Sequence, residues 1–260
     1  LAIEEIEDAF LKRNYGLKKT NLYKPDYRSL NDHNDDLALI YLSDDPDDYP
    51  NIFSNAVTKI NKEDKTRLIE ILKRLSLNED LDEIINSEEV ISYFIPQIFM
   101  LNWDSYIGPT GHNYYLLEKD GMIEILPWDY NLAFGTYALG MSEPIKDSTV
   151  LINYPINTPY TKEIMLKRPL YHIMMQNEEY LLSYHERFEH LIEGYFKSGR
   201  YLEVIDNTVA LIRKDVKNDP SAFVDYDDFI LGVDTLKEFC RLRSLSIEGQ
   251  LNRELPITHK

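Results

Sequence analysis

The amino-acid sequence predicts an α+β, helix-rich fold for a chain of 260 residues. Apolar residues recur at helical spacing through most of the second half, whereas strand signals are few and short. The strongest strand signal is a β-hairpin, in which residues 113–119 and 122–126 flank the turn pair Asp120-Gly121. With 43% hydrophobic residues, the chain is rich enough in apolar side chains to form a sizeable core.

The first half of the chain is predicted to alternate short strands with helices. A strand end at residues 1–3 leads into an amphipathic helix that ends near Gly16. Residues 21–25 and 37–42 have the composition of short strands. The helices that follow are predicted to start at Pro46, with Asp44 or Asp45 as the cap, and to cover 62–76, 80–85 and 87–101.

The helix at 87–101 is apolar on nearly all sides, which predicts that it is buried. Asp104 would then follow the end of a rigid core element, a good position for a catalytic carboxylate. Residues 136–160 are predicted to be irregular because they contain several prolines. Four helices are predicted beyond them, at about 161–175, 177–197, 199–217 and 225–253.

The charge composition limits the range of partners. Acidic residues number 45 against 28 basic residues, which gives a formal net charge of −17. Such a surface repels nucleic acid and attracts basic partners, so we do not expect nucleic-acid binding. No apolar run reaches the length of a membrane span.

The single cysteine, Cys240, excludes an internal disulfide framework, and its helical spacing predicts a buried, unreactive side chain. The chain opens with Leu1 rather than Met, so we expect it to be a fragment. On that expectation, the absence of a signal peptide carries no information.

The open end of the predicted hairpin gathers oxygen-bearing side chains. The register places Lys119 opposite Met122 and therefore brings Asn113 and Asp129 to the same end, with Asp104 just upstream. Strict alternation would point Asn113 and Asp129 to opposite faces, but Pro127 ends regular pairing and allows Asp129 to be re-aimed. Hard cations such as Mg²⁺ take such ligands. Asn and Asp also cap loose backbone groups at hairpin mouths, and the residue types alone leave both interpretations open.

Several motifs occur here in a fixed order. N-x-D at residues 102–104 is followed by N-Y-Y-L at 113–116, by the hairpin and by P-W-D-x-N-x-x-x-G at 127–135. N-L-Y-K-P at residues 21–25 and D-P-D-D-Y-P-N-I-F at residues 45–53 precede them. Over essentially the whole chain this order resembles the spore-coat protein H (CotH) kinase family.

The resemblance implies an atypical protein kinase-like fold that uses ATP and Mg²⁺ or Mn²⁺ to phosphorylate Ser or Thr in proteins. It implies one domain over residues 1–260, with 1–45 as the remnant of a truncated N-terminal β lobe. Residues 46–260 would form a mostly helical C-terminal lobe that carries the 113–128 hairpin. Members occur in spore coats and among secreted bacterial proteins, so we expect a spore-coat, secreted or cell-surface location.

The resemblance also implies roles for individual residues. Asp104 takes the place of the catalytic aspartate, which orients the acceptor hydroxyl and accepts its proton. Asn113 and Asp129 take the places of the metal ligands. Lys24 is a candidate phosphate contact, and Glu5 lies where the family has an acidic residue near the nucleotide. The ordinary alternatives for these last two are a surface lysine and a solvated first helical turn.

The sequence departs from kinase patterns at three points. Residues 105–112 make the loop between Asp104 and Asn113 longer than the H-R-D-x-x-x-x-N loop of ordinary protein kinases. Asn131 stands where many family members have Asp, so only Asn113 and Asp129 are carried over as metal ligands. No G-x-G-x-x-G occurs among the ten glycines, and with a truncated lobe we expect this chain to bind nucleotide weakly or not at all.

Two other functions fit the same residues. A non-catalytic coat or scaffold module would keep the fold without turnover, and a metal-dependent phosphoesterase would direct the same carboxylates at water. For a kinase, the charge of −17 predicts a basic, flexible polypeptide substrate that contains Ser or Thr. By analogy with kinases, residues 136–160 would touch that substrate; a plain connecting loop is the alternative.

Overall fold

The computed structural model of the protein describes residues 3–16, 20–27, 34–138, 143 and 145–259. Helices dominate these ranges, together with a three-stranded antiparallel sheet of order β1-β2-β3. The fold is α+β and helix-rich, as the sequence predicts. The chain divides into two compact units, which are Leu1–Pro144 with Thr158–Ser183 and Ile145–Asn157 with Tyr184–Lys260.

The sheet belongs to the first unit and consists of β1 (Thr20–Tyr23), β2 (Tyr114–Lys119) and β3 (Met122–Pro127). Strands β2 and β3 form the predicted hairpin in the predicted register, with Lys119 opposite Met122. Asp120 and Gly121 turn with φ of 55° and 87°, the positive values that a type I′ turn requires. Strand β1 pairs with β2 close to the predicted residues 21–25.

The helices of the first unit agree with the predicted pattern in most places. Asp45 caps the 3₁₀ turn Pro46–Asp48 by accepting a hydrogen bond from the Asp47 amide at 3.0 Å, as its place before Pro46 predicts. The helices are α1 (Asp8–Tyr15), α2 (Pro50–Phe53), α3 (Lys62–Leu77), α4 (Leu81–Ile84), α5 (Ser87–Phe99), α7 (Lys162–Leu166) and α8 (Pro169–Gln176).

Helix α5 is buried over most of its surface, which confirms the interpretation of its apolar sequence. Pro96 lies inside this helix without ending it, and the Met100 amide still donates to the Pro96 carbonyl at 3.0 Å. The buried side chains of α5 are Val90, Ile91, Tyr93, Phe94, Ile95, Gln97, Ile98 and Phe99. The helix is therefore a rigid support for the segment that follows it.

Two predicted elements are wrong. Residues 37–42 do not form a strand, because Asp35–Ala38 form a 3₁₀ helix and Leu39 has a φ of 61°. The buried Asp36 carboxylate accepts hydrogen bonds from the Leu37 amide and from the backbone and side chain of Asn51, and this bends the chain. The helix predicted at 161–175 is interrupted between α7 and α8, because Pro169 cannot donate to the preceding turn.

Two further expectations concern segments that are only partly described. Of the strand end predicted at residues 1–3, residues 1 and 2 lie outside the described residues, and Ile3 has no regular secondary structure. The segment 136–160 contains the short helix α6 (Ser148–Ile152) where the sequence predicts irregular structure. Residues 139–142 and 144 of that segment lie outside the described residues.

The second unit is mainly helical. Helix α9 (Glu178–Leu191) continues into the π-helix Ile192–Lys197, and α10 (Arg200–Asn218) and α11 (Tyr226–Leu251) follow. Cys240 is buried in α11, as predicted, and burial raises the pKa of its thiol to about 11, which makes it unreactive. None of the helices in the described ranges combines the length and apolarity needed to cross a bilayer.

A buried ionic network joins the sheet of the first unit to α3. The Glu118 carboxylate, on β2, is 2% exposed and accepts hydrogen bonds from the Arg67 guanidinium at 2.7 and 2.8 Å. It also accepts from the Asn21 side chain at 2.7 Å and from the Gly121 amide at 3.0 Å. One carboxylate therefore connects β1, the hairpin turn and α3.

We expect Glu118→Ala to lower the free energy of unfolding by about 3 kcal/mol, because it leaves the buried Asn21 amide without its acceptor and leaves Arg67 with Asp64 as its remaining carboxylate partner. Urea unfolding followed by circular dichroism measures the change. The matched control is Glu238→Ala, which removes a carboxylate paired with Arg241 in solvent, and which should leave the unfolding midpoint unchanged. Equal midpoints for both variants would show that the network contributes little.

Candidate functional site

The two acidic segments of the predicted site are joined through their backbones. Beyond α5 the chain turns at Leu101, which has a φ of 49°. The Phe134 amide donates to the Met100 carbonyl at 2.5 Å, and the Gly135 amide donates to the Leu101 carbonyl at 3.2 Å. The segment that carries Asp104 and the segment that carries Asp129 therefore run side by side.

Side chains reinforce this connection through Gln97 of α5. Its amide nitrogen donates to the Tyr130 hydroxyl at 2.7 Å, and its amide oxygen accepts from the Asn102 side chain at 2.8 Å. Gln97 and Asn102 are both fully buried. Asn102 of the N-x-D motif is thus connected through Gln97 to Tyr130, the neighbour of Asp129.

The loop from Asp104 to Asn113 is closely packed at Gly108. A Cβ atom built on Gly108 would lie 1.5 Å from the Trp103 carbonyl oxygen, so no other residue fits there without moving the backbone. The Trp103 indole donates to the Pro159 carbonyl at 2.8 Å, and the Ser105 hydroxyl donates to the Asn102 carbonyl at 2.6 Å. The backbone on both sides of Asp104 is therefore fixed.

The two predicted metal ligands both have left-handed backbone at the hairpin mouth. Strand β3 ends at Pro127, and Asp129 has a φ of 53°. Asn113, just before β2, has a φ of 57°. Asn and Asp tolerate this conformation better than most residues. Regular pairing thus ends at Pro127, as predicted. Because Asn113 and Asp129 have left-handed backbone, the alternation of side chains along the strands does not extend to them.

Asp104 has an unusual environment. The residue is 6% exposed, and its Oδ1 atom has no hydrogen-bond partner. The Asn113 amide nitrogen donates to the backbone carbonyl of Asp104 at 3.1 Å. Burial, followed by repulsion from Asp129, raises the pKa of the Asp104 carboxyl above its ordinary value, while Asn113 and Lys24 act in the opposite direction.

Lys24 lies beside the same carboxylates. Burial lowers the pKa of its ammonium, against the attraction of Asp26, Asp129 and Asp104. The ammonium lies 5.3 Å from the centre of the Tyr115 ring. Lys24 is thus a partly desolvated cation at the acidic site rather than a solvated surface lysine.

Glu5 lies farther out than the other four predicted residues. Its side chain is exposed, and its charge acts on the Tyr115 hydroxyl, whose pKa is raised first by burial and then by Glu5. Tyr115 is also the ring on which Lys24 rests. The structure therefore brings together Lys24, Asp104, Asn113 and Asp129, with Glu5 one aromatic ring away. The roles of these residues stay predictions.

His112 is part of the site and was not among the predicted functional residues. Its Nε2 atom lies 3.3 Å from Asp104 Oδ1, and neither atom has a hydrogen-bond partner. Its ring packs edge-on against Tyr27, with centroids 4.9 Å apart. The hairpin register, which places His112 opposite Asp129, was a signal that could have identified it.

The donor set fits a divalent cation that has outside ligands as well. Among the described residues, no three His, Cys, Asp or Glu side chains gather as a complete metal site. The Asn113 amide nitrogen is used by the Asp104 carbonyl, which leaves its Oδ1 atom for a ligand beside the Asp129 carboxylate. Mg²⁺ commonly binds through one or two protein oxygens plus phosphate and water. A cation would also relieve the repulsion between Asp104 and Asp129.

Comparison with known proteins gives one match. The family model described as CotH kinase protein matches residues 1–247. No curated protein and no solved structure matches the chain.

We expect Gly108→Ala to destabilise the protein by about 3 kcal/mol or more, since the new methyl group would overlap the Trp103 carbonyl. Thermal unfolding measures the loss. Gly194→Ala is the control, because a Cβ there meets no atom within 4 Å, and it should unfold at or above the wild-type temperature. A Gly108→Ala protein as stable as Gly194→Ala would contradict the packing described for this loop.

Asp104→Asn is expected to stabilise the protein at neutral pH. A carboxyl whose pKa is raised on folding adds stability below its unfolded-state pKa, and this stability is lost as pH rises through the folded-state pKa. The ionised Asp104 therefore destabilises the fold near pH 7, and the gain from Asn should shrink as pH falls. Melting temperatures measured from neutral to acidic pH report this trend.

The control for this measurement is Asp219→Asn. Asp219 is exposed and accepts hydrogen bonds from Ser221, which an asparagine oxygen can also accept, so its replacement should not stabilise the protein at neutral pH. The same sign of change at both positions would show that burial of Asp104 does not govern its effect on stability.

Proposed function

The chain belongs to the CotH kinase protein family, and on this basis we propose that it transfers the γ-phosphoryl group of ATP to Ser or Thr residues of a protein. Family membership supports kinase activity in general and, with it, ATP, a divalent metal and a protein substrate. The assignment of roles to individual residues goes further and rests on the arrangement at the hairpin mouth.

The observation that carries the proposal is the desolvated Asp104 carboxylate, which lies beside Asn113, Asp129 and Lys24 and 3.3 Å from His112 Nε2. A structural carboxylate at such a site would be expected to satisfy both oxygens with donors. Instead, Asp104 Oδ1 makes no hydrogen bond and lies 3.3 Å from His112 Nε2, within a set of groups that suits cations and phosphate. Phosphoryl transfer requires little else from a protein than positioned phosphates, a cation and a carboxylate near the nucleophile.

The proposed roles follow from these positions. When bound, ATP supplies the phosphoryl group and a divalent cation neutralises the charge that develops on it. Asn113 Oδ1 and the Asp129 carboxylate hold that cation, and the Lys24 ammonium contacts a phosphate oxygen. Glu5 acts from the rim of the site, on the nucleotide side.

Asp104 orients the acceptor hydroxyl. As the hydroxyl oxygen bonds to phosphorus and the bond to the leaving diphosphate breaks, Asp104 Oδ1 receives the hydroxyl proton. The raised pKa of the Asp104 carboxyl makes it a stronger base than an exposed aspartate, which suits this task. Asp129, a proposed metal ligand, is one of the causes of that raised pKa, so a cation bound to Asp129 would also change the basicity of Asp104.

The substrate that we propose is a basic, flexible polypeptide with Ser or Thr acceptors. The net charge of −17 is large for a protein that also binds the ATP anion. A cation and Lys24 neutralise phosphate locally, and the remaining negative field attracts basic segments from a distance. The family name points to the spore coat, and we propose that the protein acts there or as a secreted or cell-surface protein.

Asp104→Asn should lower kcat for phosphorylation by about 10²–10⁴-fold, because the variant lacks the general base. Asp129→Asn and Asn113→Ala should mainly raise the metal concentration needed for half-maximal rate. The measurement is transfer of ³²P from ATP to a Ser-containing acceptor in Mg²⁺ or Mn²⁺. The control, Asp120→Asn, keeps an exposed left-handed turn residue at the far end of the hairpin and should retain full activity.

Other outcomes of the same assay assign other functions. ADP formation without phosphorylated acceptor would identify a phosphohydrolase that uses the same carboxylates on water. A wild-type protein that binds ATP and the metal but neither hydrolyses the nucleotide nor transfers its phosphate would support a non-catalytic coat or scaffold module. An Asp104→Asn protein as active as wild type would remove Asp104 from the mechanism.

Phosphorylation of a Lys/Arg-rich peptide should fall steeply with added salt, whereas ATP hydrolysis without acceptor should change little. Long-range attraction is screened over about 8 Å at physiological ionic strength, so it acts mainly on association. The measurement compares kcat/KM for a basic and an acidic peptide that carry the same acceptor. Equal phosphorylation of both peptides would contradict the proposed basic substrate while leaving the kinase activity intact.

A further inference from the structure

The loop between Asp104 and Asn113 surrounds the side chain of Arg168, the residue immediately before α8. The guanidinium Nε atom donates to the Tyr106 carbonyl at 2.6 Å. Its Nη2 atom donates to the Gly108 carbonyl at 2.5 Å and to the Pro109 carbonyl at 3.2 Å. Three backbone acceptors of one loop therefore share one guanidinium.

Further contacts complete this arrangement. The Arg168 guanidinium carbon lies 6.0 Å from the centre of the Tyr106 ring, and a Cβ atom on Gly111 would lie 3.0 Å from Arg168 Nη2. Arg168 is 5% exposed, and burial lowers the pKa of its guanidinium. The Arg168 side chain thus fills the interior of the loop and also donates hydrogen bonds to the loop backbone.

A loop of this kind needs such donors. Its inward-facing carbonyl oxygens lie away from water, and a buried carbonyl without a partner costs free energy comparable to a lost hydrogen bond. The planar guanidinium presents several N–H groups in fixed directions, which a lysine ammonium does not. The position of Arg168 therefore determines the path of the loop, and with it the distance between the two ends.

We propose that Arg168 is a positioning residue for phosphoryl transfer, which sets the spacing of Asp104 and Asn113 by holding the loop that joins them. This inference rests on the function proposed above. Arg168 contacts neither predicted metal ligand and acts through the backbone of residues 106–109. In a shorter catalytic loop, the length of the loop itself limits the distance between the two residues at its ends. In this longer loop, Arg168 provides that limit.

The test compares Arg168→Lys and Arg168→Met with matched variants of a second buried arginine. Arg243 is fully buried in the second unit and donates to the Ile152 and Tyr154 carbonyls at 2.9 and 2.5 Å. Arg243→Lys and Arg243→Met remove the same kind of buried donor without touching the loop. Any general effect of losing a buried arginine is therefore measured by the Arg243 pair.

Arg168→Lys should lower kcat by about 100-fold while KM for ATP changes by less than about threefold, because the loss is one of geometry. The metal concentration for half-maximal rate should rise about tenfold, as expected when a residue supporting a ligand is lost. Arg243→Lys, assayed where it is folded, should match wild type in both quantities. A third pair of variants, Arg168→Ala and Arg243→Ala, tests rescue. Guanidinium ion, added below denaturing concentration, should restore part of the activity that Arg168→Ala has lost and should not raise the activity of Arg243→Ala.

A second readout does not depend on turnover. Hydrogen–deuterium exchange of the peptide that covers residues 104–113 should become about tenfold faster in Arg168→Lys, while the β2–β3 hairpin exchanges as in wild type. If wild type transfers no phosphate, the proposed function fails, but exchange still tests whether Arg168 holds the loop. If Arg168→Met does not fold, Arg168→Lys carries the comparison.

The proposal is overturned if Arg168→Lys keeps wild-type kcat and metal dependence in an active enzyme. It is also overturned if Arg168→Lys and Arg243→Lys lose activity equally, in proportion to the folded fraction. Unchanged exchange of residues 104–113 would contradict the loop-holding role itself.

Discussion

The burial of the Asp104 carboxylate close to Asp129 is the constraint on which the arrangement of the candidate site depends. The Asp104 carboxylate is desolvated, and the nearby charge of Asp129 disfavours its ionised form further. The ionised Asp104 carboxylate destabilises the fold at neutral pH, and a cation beside it would offset that cost. The surrounding structure must therefore hold both segments firmly, because a freer backbone would let the Asp104 carboxylate reach water.

The means of holding them are mostly backbone contacts. Paired amides join the segment after α5 to residues 134 and 135, and Gln97 joins Asn102 to Tyr130. Both Asn113 and Asp129 have left-handed backbone at the hairpin mouth. Strain and unpartnered buried polar groups commonly collect at functional sites, where the rest of the fold offsets their cost. Here both occur within one loop and one hairpin mouth.

The sequence was sufficient to predict the features that depend on local patterns, such as the hairpin and its register. The Asp120-Gly121 turn determined the hairpin register, and that register brought Asn113 and Asp129 to one end. The run at 37–42 was misread as a strand, because an apolar composition cannot show that the Asp36 carboxylate bends the backbone. No local pattern could have connected Arg168 with a loop some 60 residues upstream, since that contact exists only after tertiary packing.

The claim that Asp104, Asn113 and Asp129 form one phosphoryl-transfer site is tested most directly by diffraction from crystals grown with Mn²⁺ and a non-hydrolysable ATP analogue. The account predicts an anomalous Mn²⁺ peak about 2–2.5 Å from Asn113 Oδ1 and from an Asp129 oxygen. The γ-phosphate should lie on the side of Asp104 Oδ1. A Mn²⁺ peak elsewhere on the protein, with no density between these side chains at saturating metal and nucleotide, would contradict it.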